Sequence, residues 1–105
     1  MPETKELRQM KLINNEIEQL IRKAALALAD SGAREVYLFG SAVRGAISED
    51  SDIDIAVSGL PPEKFFEAMR RAANILQRPL DLVDLDEKNL FTDYLKKKGK
   101  LQRVA

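Results

Sequence analysis

Cysteine and histidine, two residue types that often serve as catalytic groups or metal ligands, are missing from this sequence. The absence of cysteine excludes disulfide bonds, thiolate metal sites and cysteine nucleophiles, and it is compatible with a cytoplasmic location. Acidic and basic residues balance at 17 each, so no overall positive charge favours nucleic acid as a partner. No apolar run approaches the ~20 residues that span a bilayer, and the N-terminus is too polar for a signal peptide. We therefore expect a cytoplasmic protein with no membrane partner and no nucleic acid as its direct substrate.

The chain has 105 residues, of which 45% are hydrophobic, and this is enough for one domain with a small core. The periodicity of its apolar residues predicts the order helix, strand, loop, strand, helix, strand, helix. In the first helix, apolar residues recur at steps of three and four from Leu7 to Leu28. We interpret this stripe as core packing. Leu12 and Leu26 lie off the stripe and leave open an exposed surface for a partner.

Turn and cap residues predict where these helices begin and end. Ser31 and Gly32 are expected to end the first helix, and Pro61 precedes the second. Asp86 is expected at the N-terminal cap of the last helix, which Gly99 would end.

The stretch from Val36 to Val57 contains two strand-like segments separated by a loop. In the second segment Asp52 and Asp54 alternate with aliphatic residues, so both carboxylates are expected on one face of the strand. Two carboxylates side by side repel each other, and such a pair usually has a positive charge between them. In the absence of histidine and cysteine, the cation that fits best is Mg²⁺ or Mn²⁺, which prefer oxygen ligands.

A glycine-serine pair closes the first of these strands. Gly40 permits close approach to the main chain, and Ser41 offers a hydroxyl and an amide to a phosphate oxygen. Arg44, three residues later, offers a positively charged guanidinium group that can bind a phosphate through two N–H groups. A simple surface turn is the alternative, since such pairs are common in turns.

Taken together, the segments GSAVRG (40–45) and SDIDIAV (51–57) resemble the signature of the DNA polymerase beta superfamily of nucleotidyltransferases. That signature is Gly-Ser, roughly ten residues, then Asp-x-Asp. Here the ten residues 42–51 separate Ser41 from Asp52. The combination is more specific than either segment alone.

The superfamily takes a third aspartate from a later strand, for which this chain offers Asp81 and Asp84. On a strand the two would lie on opposite faces, and periodicity alone leaves the choice open. The resemblance favours Asp81, because the family's third carboxylate lies between hydrophobic residues early in its strand. Asp84 is the alternative ligand and otherwise a residue at the strand end.

The resemblance implies an α+β fold of polymerase-beta type, with a small mixed or antiparallel sheet packed with helices. It implies one minimal nucleotidyltransferase domain over residues 1–105, with a motif core at 34–85. Two Mg²⁺ ions, which Mn²⁺ can replace, would act as cofactors.

The site residues follow from the same resemblance. Asp52, Asp54 and Asp81 would be the catalytic metal ligands. The remaining motif residues, Gly40, Ser41 and Arg44, would bind the phosphates of the nucleotide.

This layout is similar to that of minimal nucleotidyltransferases that are paired with all-helical HEPN proteins. Members of that group act as antitoxins by transferring AMP from ATP to a tyrosine of the HEPN toxin. The resemblance thus predicts a protein adenylyltransferase that uses ATP or another nucleoside triphosphate, in a type VII-like toxin–antitoxin pair. Three alternatives stay open: an antitoxin that acts by binding alone, a nucleotidyltransferase for a small-molecule hydroxyl, and a homodimer as the assembly.

Overall fold

The computed structural model describes the backbone of residues 5–40 and 52–105 and the side chains of residues 16–40 and 52–105. Its elements, in chain order, are α1 (Lys5–Asp30), β1 (Glu35–Phe39), β2 (Ile53–Ser58), a 3-10 turn (Pro62–Lys64), α2 (Phe65–Leu76), β3 (Leu80–Asp84), α3 (Leu90–Lys97) and β4 (Gln102–Arg103). The predicted order of helices and strands is confirmed from α1 to α3.

The strands form one mixed sheet in the order β3-β2-β1-β4. β1 runs antiparallel to both of its neighbours, β2 and β4, whereas β2 and β3 are parallel. Parallel neighbours need a crossover connection, and the segment that contains α2 supplies it. The predicted α+β class with a small mixed sheet is confirmed.

One face of the sheet carries the main core, because α1 and α2 pack on it. The inward side chains of the central strands alternate with outward ones, so every second residue of β1 and β2 meets these helices. The larger members of this core are Ile17, Ile21, Leu28, Val36, Leu38, Ile53, Ile55, Val57, Leu60, Leu76 and Leu82. The α1 stripe is therefore core packing from Ile17 onward. Leu26 is 65% exposed, and Leu12 lies outside the described side chains.

The opposite face carries a smaller buried cluster under α3. Phe39, Ala56, Leu85 and Leu95 form it. Because α3 has only eight residues, it is ~12 Å long and covers part of this face only. The start of β3 stays accessible there, and Asp81 is exposed.

The N-terminal cap of α3 differs from the prediction. Asn89 caps the helix, since its Oδ1 accepts the Thr92 N–H at 2.9 Å and Thr92 Oγ1 accepts the Asn89 N–H at 3.2 Å. Asp86 was the wrong residue because its carboxylate is engaged elsewhere: it accepts the Gly59 N–H at 2.6 Å. That hydrogen bond lowers the pKa of the Asp86 carboxyl.

The strand β4 was not predicted. It pairs with β1 over two positions, Tyr37 with Arg103 and Leu38 with Gln102. Two residues are too few to show a period of two in the sequence. β4 forms because β1 would otherwise present an open edge to which the end of the chain can return.

Within the described parts of the chain, no helix is both long enough and apolar enough to cross a membrane.

We expect that Leu28→Ala and Leu26→Ala will have very different effects, although both replace a leucine of α1. Leu28 is fully buried and Leu26 is 65% exposed. Truncation of Leu28 should lower the free energy of unfolding by about 3 kcal/mol, because it removes buried methyl groups and leaves a cavity. Truncation of Leu26 should change it by less than ~0.5 kcal/mol. Urea unfolding followed by circular dichroism measures both, and equal losses would contradict the assigned core.

Candidate active site

The register between β2 and β3 places two aspartates side by side. Asp54 of β2 is the direct neighbour of Asp81 of β3, and Phe39 of β1 lies beside Asp54 on its other side. Paired residues of neighbouring strands point to the same face, and adjacent strands are ~4.8 Å apart. Asp54 and Asp81 therefore share the face that α3 covers only in part. We call Asp52, Asp54 and Asp81 the acid row.

Asp52 lies just before β2, two residues from Asp54. The Ile53 N–H donates to the Pro79 carbonyl oxygen at 3.1 Å, so the pairing with the chain before β3 holds this end of the strand. Asp52 is exposed, and its charge contributes to the electrostatics of Asp54. Because Asp52 precedes β2, that it shares one strand face with Asp54 stays a prediction.

Asp84 lies away from the acid row. It pairs with Val57, three positions further along β2 than Asp54, and an odd separation from Asp81 places it on the other face of the sheet. Its Oδ1 accepts the Asp86 N–H at 2.9 Å. Asp84 therefore stabilises the turn after β3. The residue next to Asp54 is Asp81 and not Asp84.

Burial and neighbouring charge both act on Asp54. Partial burial raises the pKa of its carboxyl, and repulsion from Asp81 and then Asp52 raises it further. A nearby cation would therefore stabilise the charged form of the Asp54 carboxyl.

The acid row has the donor chemistry of a divalent-metal site without being a closed cage. Among the side chains of 16–40 and 52–105, no three acidic groups are gathered closely enough to hold an ion as they stand. The oxygens nevertheless suit Mg²⁺, which takes one or two carboxylates together with substrate phosphates and water. Exposed Asp52 and Asp81 have room to turn toward an ion, so the residues fit such a group.

Gly40 lies directly against the acid row. Its φ is +70°, a left-handed conformation that favours glycine. A Cβ built on it would lie 3.1 Å from Asp54 Cγ and closer still to Oδ2. Any side chain here would press on the Asp54 carboxylate, so glycine leaves room for it. The other two predicted phosphate-binding residues, Ser41 and Arg44, lie outside the described residues, and their role stays a prediction.

A groove opens beside the acid row, between the end of β1 and α3. Its volume is about 440 Å³, and its lining includes Phe39, Gly40, Phe91, Tyr94, Lys98 and Lys100. We call it the aromatic groove. Phe91 and Tyr94 of α3 are 50% and 57% exposed, so these aromatic side chains lie outside the core.

Comparison with known proteins agrees with this geometry. The family described as polymerase beta, nucleotidyltransferase matches residues 15–101. The chain belongs to this family. The matched residues include β2, β3 and α3, so this nucleotidyltransferase carries its acid row inside the family's own domain. Among curated proteins, no sequence matches the chain.

Several solved structures are also similar to this chain in sequence and fold. A chain of the crystal structure of a toxin–antitoxin complex with AMP-PNP is 31% identical to this nucleotidyltransferase, over 84% of this chain and 70% of that one, with a TM-score of 0.56. A chain of a variant MntA–HpeT toxin–antitoxin complex is 28% identical over the same shares, with a TM-score of 0.54. A candidate minimal nucleotidyltransferase is 20% identical over 87% of this chain and 93% of its own, with a TM-score of 0.60, and supports the fold.

The raised pKa of Asp54 predicts that Asp54→Asn will stabilise the metal-free protein near neutral pH. The folded-state pKa lies above the ordinary value of 3.8. The contribution of Asp54 to stability is therefore complete below that value and is lost as the pH rises through the folded-state pKa. At pH 7 in EDTA, thermal unfolding of Asp54→Asn should have a midpoint a few degrees above wild type, and the gap should close toward pH 4.

The control for this measurement is Asp84→Asn, which keeps an oxygen that can accept the Asp86 N–H and lies on the other face. It should show no such gain. High salt should shrink the effect of Asp54→Asn, because salt screens partly exposed charges. A variant less stable than wild type at pH 7 would mean that Asp54 makes net favourable contacts.

Proposed function

We propose that this nucleotidyltransferase is an antitoxin that transfers AMP from ATP to a tyrosine hydroxyl of a HEPN toxin, in the presence of magnesium. We also propose that it acts in the cytoplasm, where ATP and Mg²⁺ are available. The observation that carries the proposal is the pairing of Asp54 with Asp81 across β2 and β3. This pairing provides carboxylates from two strands on one accessible face.

The acid row would hold the metal ions. Bound divalent ions would neutralise the charge that develops on the phosphates and favour ionisation of the acceptor hydroxyl. In this proposal Asp52, Asp54 and the exposed Asp81 would hold the ions. The raised pKa of Asp54 shows that its charged form is unfavourable without a cation.

The nucleotide's phosphates would lie between the acid row and the turn after β1. Gly40 leaves space against Asp54, and Ser41 and Arg44 would bind the terminal phosphates. The acceptor hydroxyl releases its proton to solvent and its oxygen forms a bond to the α-phosphorus, the bond from that phosphorus to the pyrophosphate oxygen breaks, and pyrophosphate leaves. Positioning and charge neutralisation account for catalysis here, so no covalent nucleophile of this chain is needed.

The choice of ATP and of a toxin partner is supported by two relatives. One similar structure is a toxin–antitoxin complex with AMP-PNP, and AMP-PNP has the adenosine and triphosphate shape of ATP. Another belongs to a toxin–antitoxin complex. These are properties of those complexes, and the resemblance to minimal nucleotidyltransferases extends them to this chain as a proposal.

The test is transfer of label from ATP labelled at the α-phosphate, with Mg²⁺ and the protein that the neighbouring open reading frame encodes, which the proposal expects to be a HEPN toxin. We expect a labelled tyrosine on the partner, and none with EDTA. Asp54→Asn and Asp81→Asn should lower the rate at least ~100-fold, because each removes a charge that neutralises the transition state. Asp84→Asn should stay within about threefold of wild type.

Two outcomes would contradict the proposal. If Asp81→Asn transfers label at the wild-type rate and Asp84→Asn does not, Asp84 is the third metal ligand instead of Asp81. If Asp54→Asn still neutralises the toxin in cells although no label is transferred, the antitoxin acts by binding alone. Circular dichroism of each variant confirms that the fold is intact.

A further inference from the structure

The aromatic groove adjoins the acid row and is part of the same face. Phe39, which forms one wall, is the cross-strand neighbour of Asp54. Gly40 both lines the groove and lies against the Asp54 carboxylate. Among residues 5–40 and 52–105, no element separates the two, so a ligand whose charged end is at the acid row can extend into the groove.

The walls of the groove present flat aromatic surface. Phe39 is buried and contacts Phe91 edge to face, with ring centroids 6.2 Å apart and planes at 64°. This contact fixes Phe91, yet half of Phe91 and more than half of Tyr94 are exposed. Large aromatic side chains exposed next to each other are costly in water and typical of binding surfaces. A flat ring in the groove would cover them.

The end of α3 forms the rim of the groove and contributes positive charge to it. Gly99 closes the helix with its N–H directed at the Tyr94 and Leu95 carbonyl oxygens, and a Cβ on Gly99 would lie 2.7 Å from the Leu95 carbonyl oxygen. Glycine at this position thus lets the chain turn tightly at the rim. Lys98 and Lys100, on either side of it, are both exposed and line the groove.

The charge of the groove indicates its occupant. A volume of about 440 Å³ lies within the ~300–1,000 Å³ of small-molecule sites. Lys98 and Lys100 at the rim favour an occupant whose flat ring is attached to phosphate, and a partner's tyrosine side chain has no such group. A nucleotide combines a flat ring with negative charge, and base stacking on aromatic rings together with cations is the usual way to hold one.

We propose that the aromatic groove binds the purine base and ribose of the nucleotide whose phosphates lie at the acid row. This inference rests on the proposed nucleotidyl transfer and assigns it a base-binding subsite on this same domain. Phe91 and Tyr94 supply the stacking surface. Lys98 and Lys100 attract the anion to the groove and balance the negative field of the acid row.

The test measures binding of two probes by isothermal titration calorimetry in Mg²⁺: ATP, and inorganic tripolyphosphate, which has no base. Wild type should bind ATP at least ~10-fold more tightly than tripolyphosphate, as expected for one or two stacking contacts. Phe91→Ala and Tyr94→Ala should each weaken ATP binding by about 10-fold and leave tripolyphosphate unchanged. Tyr94→Phe keeps the ring and should bind ATP like wild type.

Phe66→Ala is the matched control, because Phe66 is an equally large, 71% exposed side chain on α2, outside the groove. It should change neither affinity. Phe91 also packs on Phe39, so Phe91→Ala can lower the thermal midpoint of unfolding. In that case the ATP affinity of Tyr94→Ala alone tests the base-binding subsite.

The outcomes separate this inference from the proposed function. Unchanged ATP affinity in Tyr94→Ala and Phe91→Ala would overturn the base-binding subsite and leave the transfer reaction standing. The same result with weakened binding of the HEPN partner would show that the groove holds the acceptor protein instead. Absence of Mg²⁺-dependent ATP binding by wild type would overturn both proposals.

Discussion

The parallel pairing of β2 with β3 holds two like charges next to each other, and the rest of the site depends on it. Backbone hydrogen bonds fix the spacing of neighbouring strands whatever their side chains carry. Asp54 and Asp81 therefore stay adjacent although their carboxylates repel each other. The favourable burial that opposes this repulsion lies on the other face, where Ile53, Ile55 and Leu82 pack under α1 and α2. The same two strands thus supply stability on one face and unbalanced negative charge on the other.

The two faces differ because they are covered to different extents. The α1 and α2 helices, of 26 and 12 residues, cover the core face. The eight-residue α3 covers only part of the second face. The part of this face that no described element covers contains the acid row at one end and the aromatic groove beside it. A short helix at this position is therefore what gives ligands access to the sheet.

At Gly40 the main chain lies directly against the Asp54 carboxylate. Gly40 joins the acid row to the groove, because its missing side chain leaves space both for the Asp54 carboxylate and for the groove itself. A nucleotide bound across this point would meet two kinds of chemistry on one small domain. Oxygen ligands would act through metal ions on its phosphates, and aromatic rings with lysines would act on its base.

Much of the fold was predictable from local pattern. The long α1 stripe, the alternation of Asp52 and Asp54 with aliphatic residues, and the glycine at the end of β1 each depend on neighbours in the sequence, which is why periodicity and turn chemistry reveal them. Asn89 as the cap of α3 was missed because Asp86 is an equally good cap residue by type, and only its contact with Gly59 removes it from that role. The strand β4 was missed because its two residues have no pattern of their own.

The sequence by itself determined the residue types of the site, the alternation of Asp52 and Asp54 with aliphatic residues, and the membership of the chain in a nucleotidyltransferase family. Tertiary structure alone decided that Asp81 rather than Asp84 stands beside Asp54, because the register of two strands joined through α2 is set by packing across the whole sheet. It alone also showed that Phe91 and Tyr94 face a groove instead of the core, since the exposure of a helix face depends on what the fold places opposite it.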